Sequence, residues 1–138
     1  MEHNREFAHA DNGGQELLAA MRVKEAATLL ADGRRALVIF DEVFKGTNVR
    51  DALEASAAVI LGFAKARQSG FMFSSHLIEL VEVLKSNPAI RFHCFDGDIR
   101  NGAAEYTYEL REGVSDKRLG LVLLQQARVP ELLARIGA

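Results

Sequence analysis

The spacing of apolar positions changes several times along the chain, and each change marks an element. Ala19, Val23, Ala26, Ala27 and Leu30 fall at i, i+4, i+7, i+8 and i+11, one face of a helix. Asp11-Asn12-Gly13-Gly14 is a turn signal leading into it, and Gly33 is suited to the left-handed cap that ends it. Ala36-Leu37-Val38-Ile39-Phe40 follows, too short for a free-standing helix and rich in β-branched and aromatic side chains. Such a run predicts a strand buried on both faces, as in a parallel sheet under helices. Leu53, Ala57, Ile60, Leu61 and Ala64 restore the helical spacing and predict a helix over 51–67, capped by Asn48 or Asp51 and ended at Gln68-Ser69-Gly70. Phe71-Met72-Phe73-Ser74 is a second short strand, so the three elements read as a right-handed parallel crossover.

Leu77, Leu80, Val81 and Leu84 give another helical stripe before Asn87-Pro88. The period then drops to two. Ile90, Phe92 and Cys94 alternate with polar neighbours, as do Tyr106, Tyr108 and Leu110, on either side of Asp96-Gly97-Asp98 and Asn101-Gly102. This predicts an antiparallel hairpin added to the sheet, with Asn101-Gly102 supplying positive φ. With no basic residues around them, Tyr106 and Tyr108 read as core rather than as a base-stacking platform. Helical rhythm returns in Leu119, Val122, Leu123, Gln126 and in Val129, Leu132, Leu133, Ile136, with Pro130 in a first turn. Residues 1–12 are polar and aperiodic and are expected to be loose or to pair weakly with another segment. The fold class is α/β, with 1–112 as the main domain and 113–138 as a helix-turn-helix segment.

Composition narrows the partners. A chain of 138 residues, 49% hydrophobic, can bury one core. A net charge of −2 leaves no overall electrostatic footprint for nucleic acid, so any DNA is held outside this chain. Lys117, Arg118, Arg128 and Arg135 are partly matched by Asp116 and Glu131, which favours protein contact over DNA contact for the last two helices. The single cysteine, Cys94, excludes an internal disulfide, and no segment reads as a membrane span or signal peptide; a cytoplasmic protein is expected. His3, His9 and His93 lack the neighbours of a zinc site.

The chemistry is concentrated after the first strand. Asp41 and Glu42 end it, and the carboxyl edge of a parallel sheet is where ligands bind and catalytic groups are held. In nucleotide hydrolases of this type the strand-ending Asp helps hold Mg²⁺, and a neighbouring carboxylate orients or deprotonates the attacking water. The bland alternative is a polar strand end or a helix cap. His76 closes the second strand one crossover later, where it either contacts a γ-phosphate or is an ordinary surface histidine.

The run Val38 to Asn48, with Asp41-Glu42 followed by Gly46-Thr47-Asn48, resembles the Walker B strand and loop of the MutS family of DNA mismatch-repair ATPases. Phe73-Ser74-Ser75-His76-Leu77-Ile78-Glu79-Leu80 is similar to that family's strand ending in Thr/Ser-His, and the likeness extends loosely from Gly13 to Ile136. It implies part of an ABC-type P-loop NTPase fold and a parent that uses ATP and Mg²⁺. Asp41 would then be the metal ligand, with Glu42 and His76 catalytic. Gly46, Thr47 and Asn48 would lie at a homo- or heterodimer interface and Gly13, Gly14 and Gln15 in the signature segment that reaches the partner's nucleotide, all six as nucleotide-binding residues. Gln15 and Glu16 depart from the hydroxyl residues usual there, and a glutamate repels phosphate. The same four residues also read as a plain turn and helix start, and Gly46-Thr47-Asn48 as a plain helix entry.

No Gly-x-x-x-x-Gly-Lys-Ser/Thr occurs, so the cradle for the β- and γ-phosphates is absent from this sequence. The chain alone is therefore expected to bind ATP weakly or not at all and not to turn it over. Two functions lead: a fragment of a MutS-related ATPase, or a non-catalytic assembly module that keeps the ATPase-like fold. A weaker alternative is another ATPase family of the same architecture, of chromosome-maintenance or transporter type, against which the Gly46-Thr47-Asn48 loop argues.

Overall fold

The computed structural model describes residues 12–115 and 119–137. Its contacts form two compact units that meet in sequence between Ile90 and Arg91.

The first unit begins with helix α1, Asn12–Ala31. Gly13 and Gly14 thus fall inside its first turn and not in a turn before it. The expected stripe of Ala19, Val23, Ala26, Ala27 and Leu30 is half-buried. The helix closes as its sequence requires: Gly33 takes φ 75°. The Gly33 N–H donates to Leu30 O at 3.0 Å and that of Arg34 to Leu29 O at 3.1 Å, the paired bonds of a glycine C-cap.

Strands β1, Leu37–Asp41, and β2, Gly70–Ser74, pair in parallel, with Leu37 opposite Gly70 and Asp41 opposite Ser74. Helix α2, Val49–Phe63, connects them and is capped by Asn48, whose Oδ1 accepts from the Asp51 N–H at 3.0 Å. It ends short of the predicted residue 67. Side chains alternate across a strand, so Val38, Phe40, Phe71 and Phe73 share the face toward α2. There the buried Phe63 ring lies 6.3 Å from Phe40, 5.5 Å from Phe71 and 6.1 Å from Phe73. Ala52, Ser56 and Ala57 of the same helix are buried as well. The short helix α3, Glu79–Leu84, adds Leu80 and Leu84 to the core.

The opposite face of the sheet corrects the sequence reading. Leu37, Ile39 and Met72 are 70%, 63% and 58% exposed, so β1 is covered on one face only. An apolar run records what a strand is made of, and nothing among the described residues of this unit covers its second face.

In the second unit β3, His93–Arg100, and β4, Ala103–Glu112, form the predicted antiparallel hairpin, with Asn101 and Gly102 at φ 53° and 76°. It stands as its own two-stranded sheet and is not added to β1 and β2, a second correction. Asp96-Gly97-Asp98 lies within β3, where a register shift between Phe95 and Gly97 absorbs the irregular spacing. Tyr106 and Tyr108 are 50% and 84% exposed and form a ring pair, so they are not the core residues that their alternation predicted. Helices α4, Leu119–Gln126, and α5, Val129–Leu133, follow with Pro130 in the first turn and Arg128 at φ 57° between them. Residues 1–11 with His3 and His9, and the charged trio Asp116, Lys117 and Arg118, lie outside the described residues.

Candidate functional site

The parallel register creates the site. Asp41 and Ser74 are the last residues of their strands, directly opposite one another and on the same face. Adjacent strands run about 4.8 Å apart, so a short hydroxyl side chain reaches a short carboxylate. The Ser74 hydroxyl donates to Asp41 Oδ1. The Ser74 hydroxyl oxygen accepts in turn from the Glu42 N–H at 3.1 Å, and Ser74 O accepts from that N–H at 3.1 Å too. The ladder thus continues one residue past β1.

Glu42 and Phe44 take φ 47° and 64°, left-handed values that L side chains adopt at a cost. They break the extended backbone where β1 ends, and from there the Glu42 side chain reaches two partners. Its Oε1 lies 3.6 Å from His76 Nδ1, an ion pair when the imidazole is protonated, and its Oε2 lies 3.0 Å from Lys45 Nζ. The hydrogen bond and charge of Lys45 hold the Glu42 carboxyl below its ordinary value, and Glu42 in turn raises Lys45.

The start of α1 meets the same loop. Glu16 Oε1 accepts from the Gly46 N–H at 2.8 Å, and Gln15, Glu16 and Arg22 line a shallow recess with Asp41, Glu42, Lys45 and Gly46. The structure therefore brings Asp41, Glu42 and His76 together and sets the beginning of α1 beside the Gly46–Asn48 loop. Glu16, which sequence reasoning treated as a misfit, anchors that loop. Within it, Thr47 donates its N–H to Phe44 O at 3.3 Å and Asn48 serves as helix cap.

Sequence reasoning overlooked Lys45, Ser74 and the anchoring role of Glu16. The i, i+3 spacing of Glu42 and Lys45 was a usable signal, as was the placement of Ser74 at the second strand end. Glu16 gave none, because its partner is thirty residues away in sequence.

The family described as MutS domain V matches residues 13–136, which takes in all of these residues. The chain belongs to that family. Among relatives of this MutS domain V chain, the DNA mismatch repair protein MutS of Chloroflexus aurantiacus is 28% identical over 91% of the chain and 13% of its own length. That of Wolbachia pipientis is 31% identical over 78% of the chain and 13% of its own length, and that of Natronomonas pharaonis 29% over 90% and 15%. The chain spans about an eighth of the length of these curated relatives, 13–15% in these three. No solved structure matches it. No described helix is long and apolar enough to cross a membrane.

Among the described residues of this MutS domain V chain, no group of three or more His, Cys, Asp and Glu could hold a metal ion. Asp41 would offer a magnesium ion one hard oxygen ligand, with phosphate oxygens and water needed for the rest of its shell. With protein ligands alone, this single carboxylate would hold such an ion only weakly.

Proposed function

We propose that this chain supplies the water-activating edge of a MutS-related mismatch-repair ATPase, within an ABC-type P-loop NTPase fold completed by sequence elsewhere. One observation carries the reading: the two strand ends put Asp41, Glu42 and His76 at one edge of a parallel sheet, with Glu42 Oε1 3.6 Å from the imidazole. Asp41 would hold Mg²⁺, which neutralises charge on the transferring phosphoryl group. Glu42 would align or deprotonate the attacking water, and His76 would contact the γ-phosphate. Gly13, Gly14 and Gln15, with Gly46, Thr47 and Asn48, would line the interface to a second ATPase domain, identical or different. DNA would be bound by regions outside this chain. For Glu42 to act as a base, Lys45 must move aside, since the ammonium stabilises the unprotonated carboxylate and so weakens its pull on a proton.

The test grafts residues 13–136 into the Chloroflexus aurantiacus relative in place of its matched segment. The reading predicts Mg²⁺-dependent ATP hydrolysis that falls about a hundredfold in Asp41→Asn, the order expected when an electrostatic anchor of phosphoryl transfer is lost. Hydrolysis unaffected by Asp41→Asn would refute it.

A second reading, a non-catalytic assembly module, is favoured by the exposed apolar residues Leu37, Ile39 and Met72 on the sheet and Leu121, Leu132 and Leu133 on the last helices. A graft that assembles like the parent without hydrolysing ATP would support it.

A further inference from the structure

Ser74 belongs to neither the acid pair nor the imidazole, yet its hydroxyl touches both acids. It is the last residue of β2, on the face and in the register of Asp41. A serine hydroxyl has one hydrogen to give and two lone pairs to accept with. Here the hydrogen goes to Asp41 Oδ1 and one lone pair takes the Glu42 N–H at 3.1 Å. The first contact fixes the rotation of the Asp41 carboxylate and leaves Oδ2 as the oxygen for a cation. The second helps hold Glu42 in the left-handed conformation, φ 47°, from which its side chain reaches His76 and Lys45.

We propose that Ser74 is a positioning residue: its hydroxyl presets the Asp41 carboxylate for a divalent cation and ties that ligand to the backbone of Glu42. The proposal rests on the reading of Asp41 as a metal ligand. An exposed aspartate free to turn about χ2 loses that freedom when it binds a cation, whereas one already hydrogen-bonded has less to lose. The hydroxyl also withdraws some charge from Oδ1, which opposes the effect. Ordering dominates, because the hydrogen bond engages one oxygen and the cation needs the other.

The experiment uses the chain itself, ¹⁵N-labelled, with Mn²⁺ as the probe. Paramagnetic broadening of the amides of residues 41, 42 and 74–76 reports occupancy at roughly millimolar metal, the range for a site with few protein ligands. Asp41→Asn is expected to abolish the local broadening. Ser74→Ala is expected to raise the Mn²⁺ concentration at half-effect roughly three- to tenfold, the scale of one net hydrogen bond. Ser74→Thr keeps the hydroxyl and is expected to restore it. Amides near Phe63 should keep their positions in all three variants, which separates positioning from loss of fold. Should Ser74→Ala disturb those amides, Ser74→Cys, which keeps the volume and loses the strong donor, takes its place with the same expectation. Unchanged or tighter Mn²⁺ binding with the hydroxyl removed, beside loss in Asp41→Asn, overturns the role of Ser74 and leaves the metal reading standing. Wild-type broadening absent at Asp41, or unaffected by Asp41→Asn, overturns both.

Discussion

Replacing Phe63 with leucine tests whether one aromatic layer holds the site together. The ring is 6% exposed and sits within 6.3 Å of Phe40, Phe71 and Phe73, whose strands end in Asp41 and Ser74. Leucine keeps an apolar side chain but removes three ring–ring contacts, each worth about 0.5–1.5 kcal/mol beyond area burial. The contacts share one ring and are not independent, so the loss is set at about 2 kcal/mol. Phe63→Ala, with a cavity as well, is set at about 3–5 kcal/mol. For a unit of this size, about 2 kcal/mol lowers the melting temperature by about 8–16 °C. Urea unfolding followed by circular dichroism measures the first quantity and a thermal scan the second. A Phe63→Leu change below about 0.5 kcal/mol, the level of an ordinary surface substitution, would refute the claim that this layer carries the unit.

Four further outcomes follow from named contacts. Asn48→Ala removes the α2 cap and should cost about 1 kcal/mol in urea unfolding, with faster amide exchange at Asp51, its hydrogen-bond partner. Gly33→Ala places a Cβ in open space but at φ 75°, so any loss, about 1–2 kcal/mol, is backbone strain alone. Arg128→Gly relieves the left-handed φ 57° between α4 and α5 and should raise the melting temperature slightly. The Glu42–Lys45 pair sets a pH window. Glu42 is lowered in the folded chain, so its contribution is present above the ordinary carboxyl value of 4.5 and is lost as pH falls through the lower folded value. Lys45 is raised, so its contribution is present below the ordinary 10.5 and is lost as pH rises through the higher folded value. Between those limits the pair is intact, and Lys45→Met should flatten the acid limb of the stability–pH profile.

What the sequence revealed and what it hid differ in kind. The strand–helix–strand crossover, the Asn48 cap, the Gly33 terminus and the Asn101-Gly102 hairpin were all legible because each is set by residues within a few positions of one another. The meeting of Glu42 with His76 was legible one step further out, from the rule that parallel strands end on one edge. Ser74 was legible only as a strand end, because its hydrogen bonds depend on register and face. The exposure of Leu37, Ile39, Tyr106 and Tyr108 was hidden for another reason. Periodicity shows that a face is apolar and says nothing of what covers it. The placement of the hairpin in a separate sheet was hidden in the same way, since alternation predicts a strand and not its neighbours.

Single-turnover hydrolysis in the grafted protein measures whether Glu42 acts on water at a nucleotide held elsewhere. With Glu42→Gln the account predicts that ATP still binds with nearly unchanged affinity, while the chemical step slows about a hundredfold or more, the contribution of a positioned base. A chemical step as fast in Glu42→Gln as in the unsubstituted graft would contradict it.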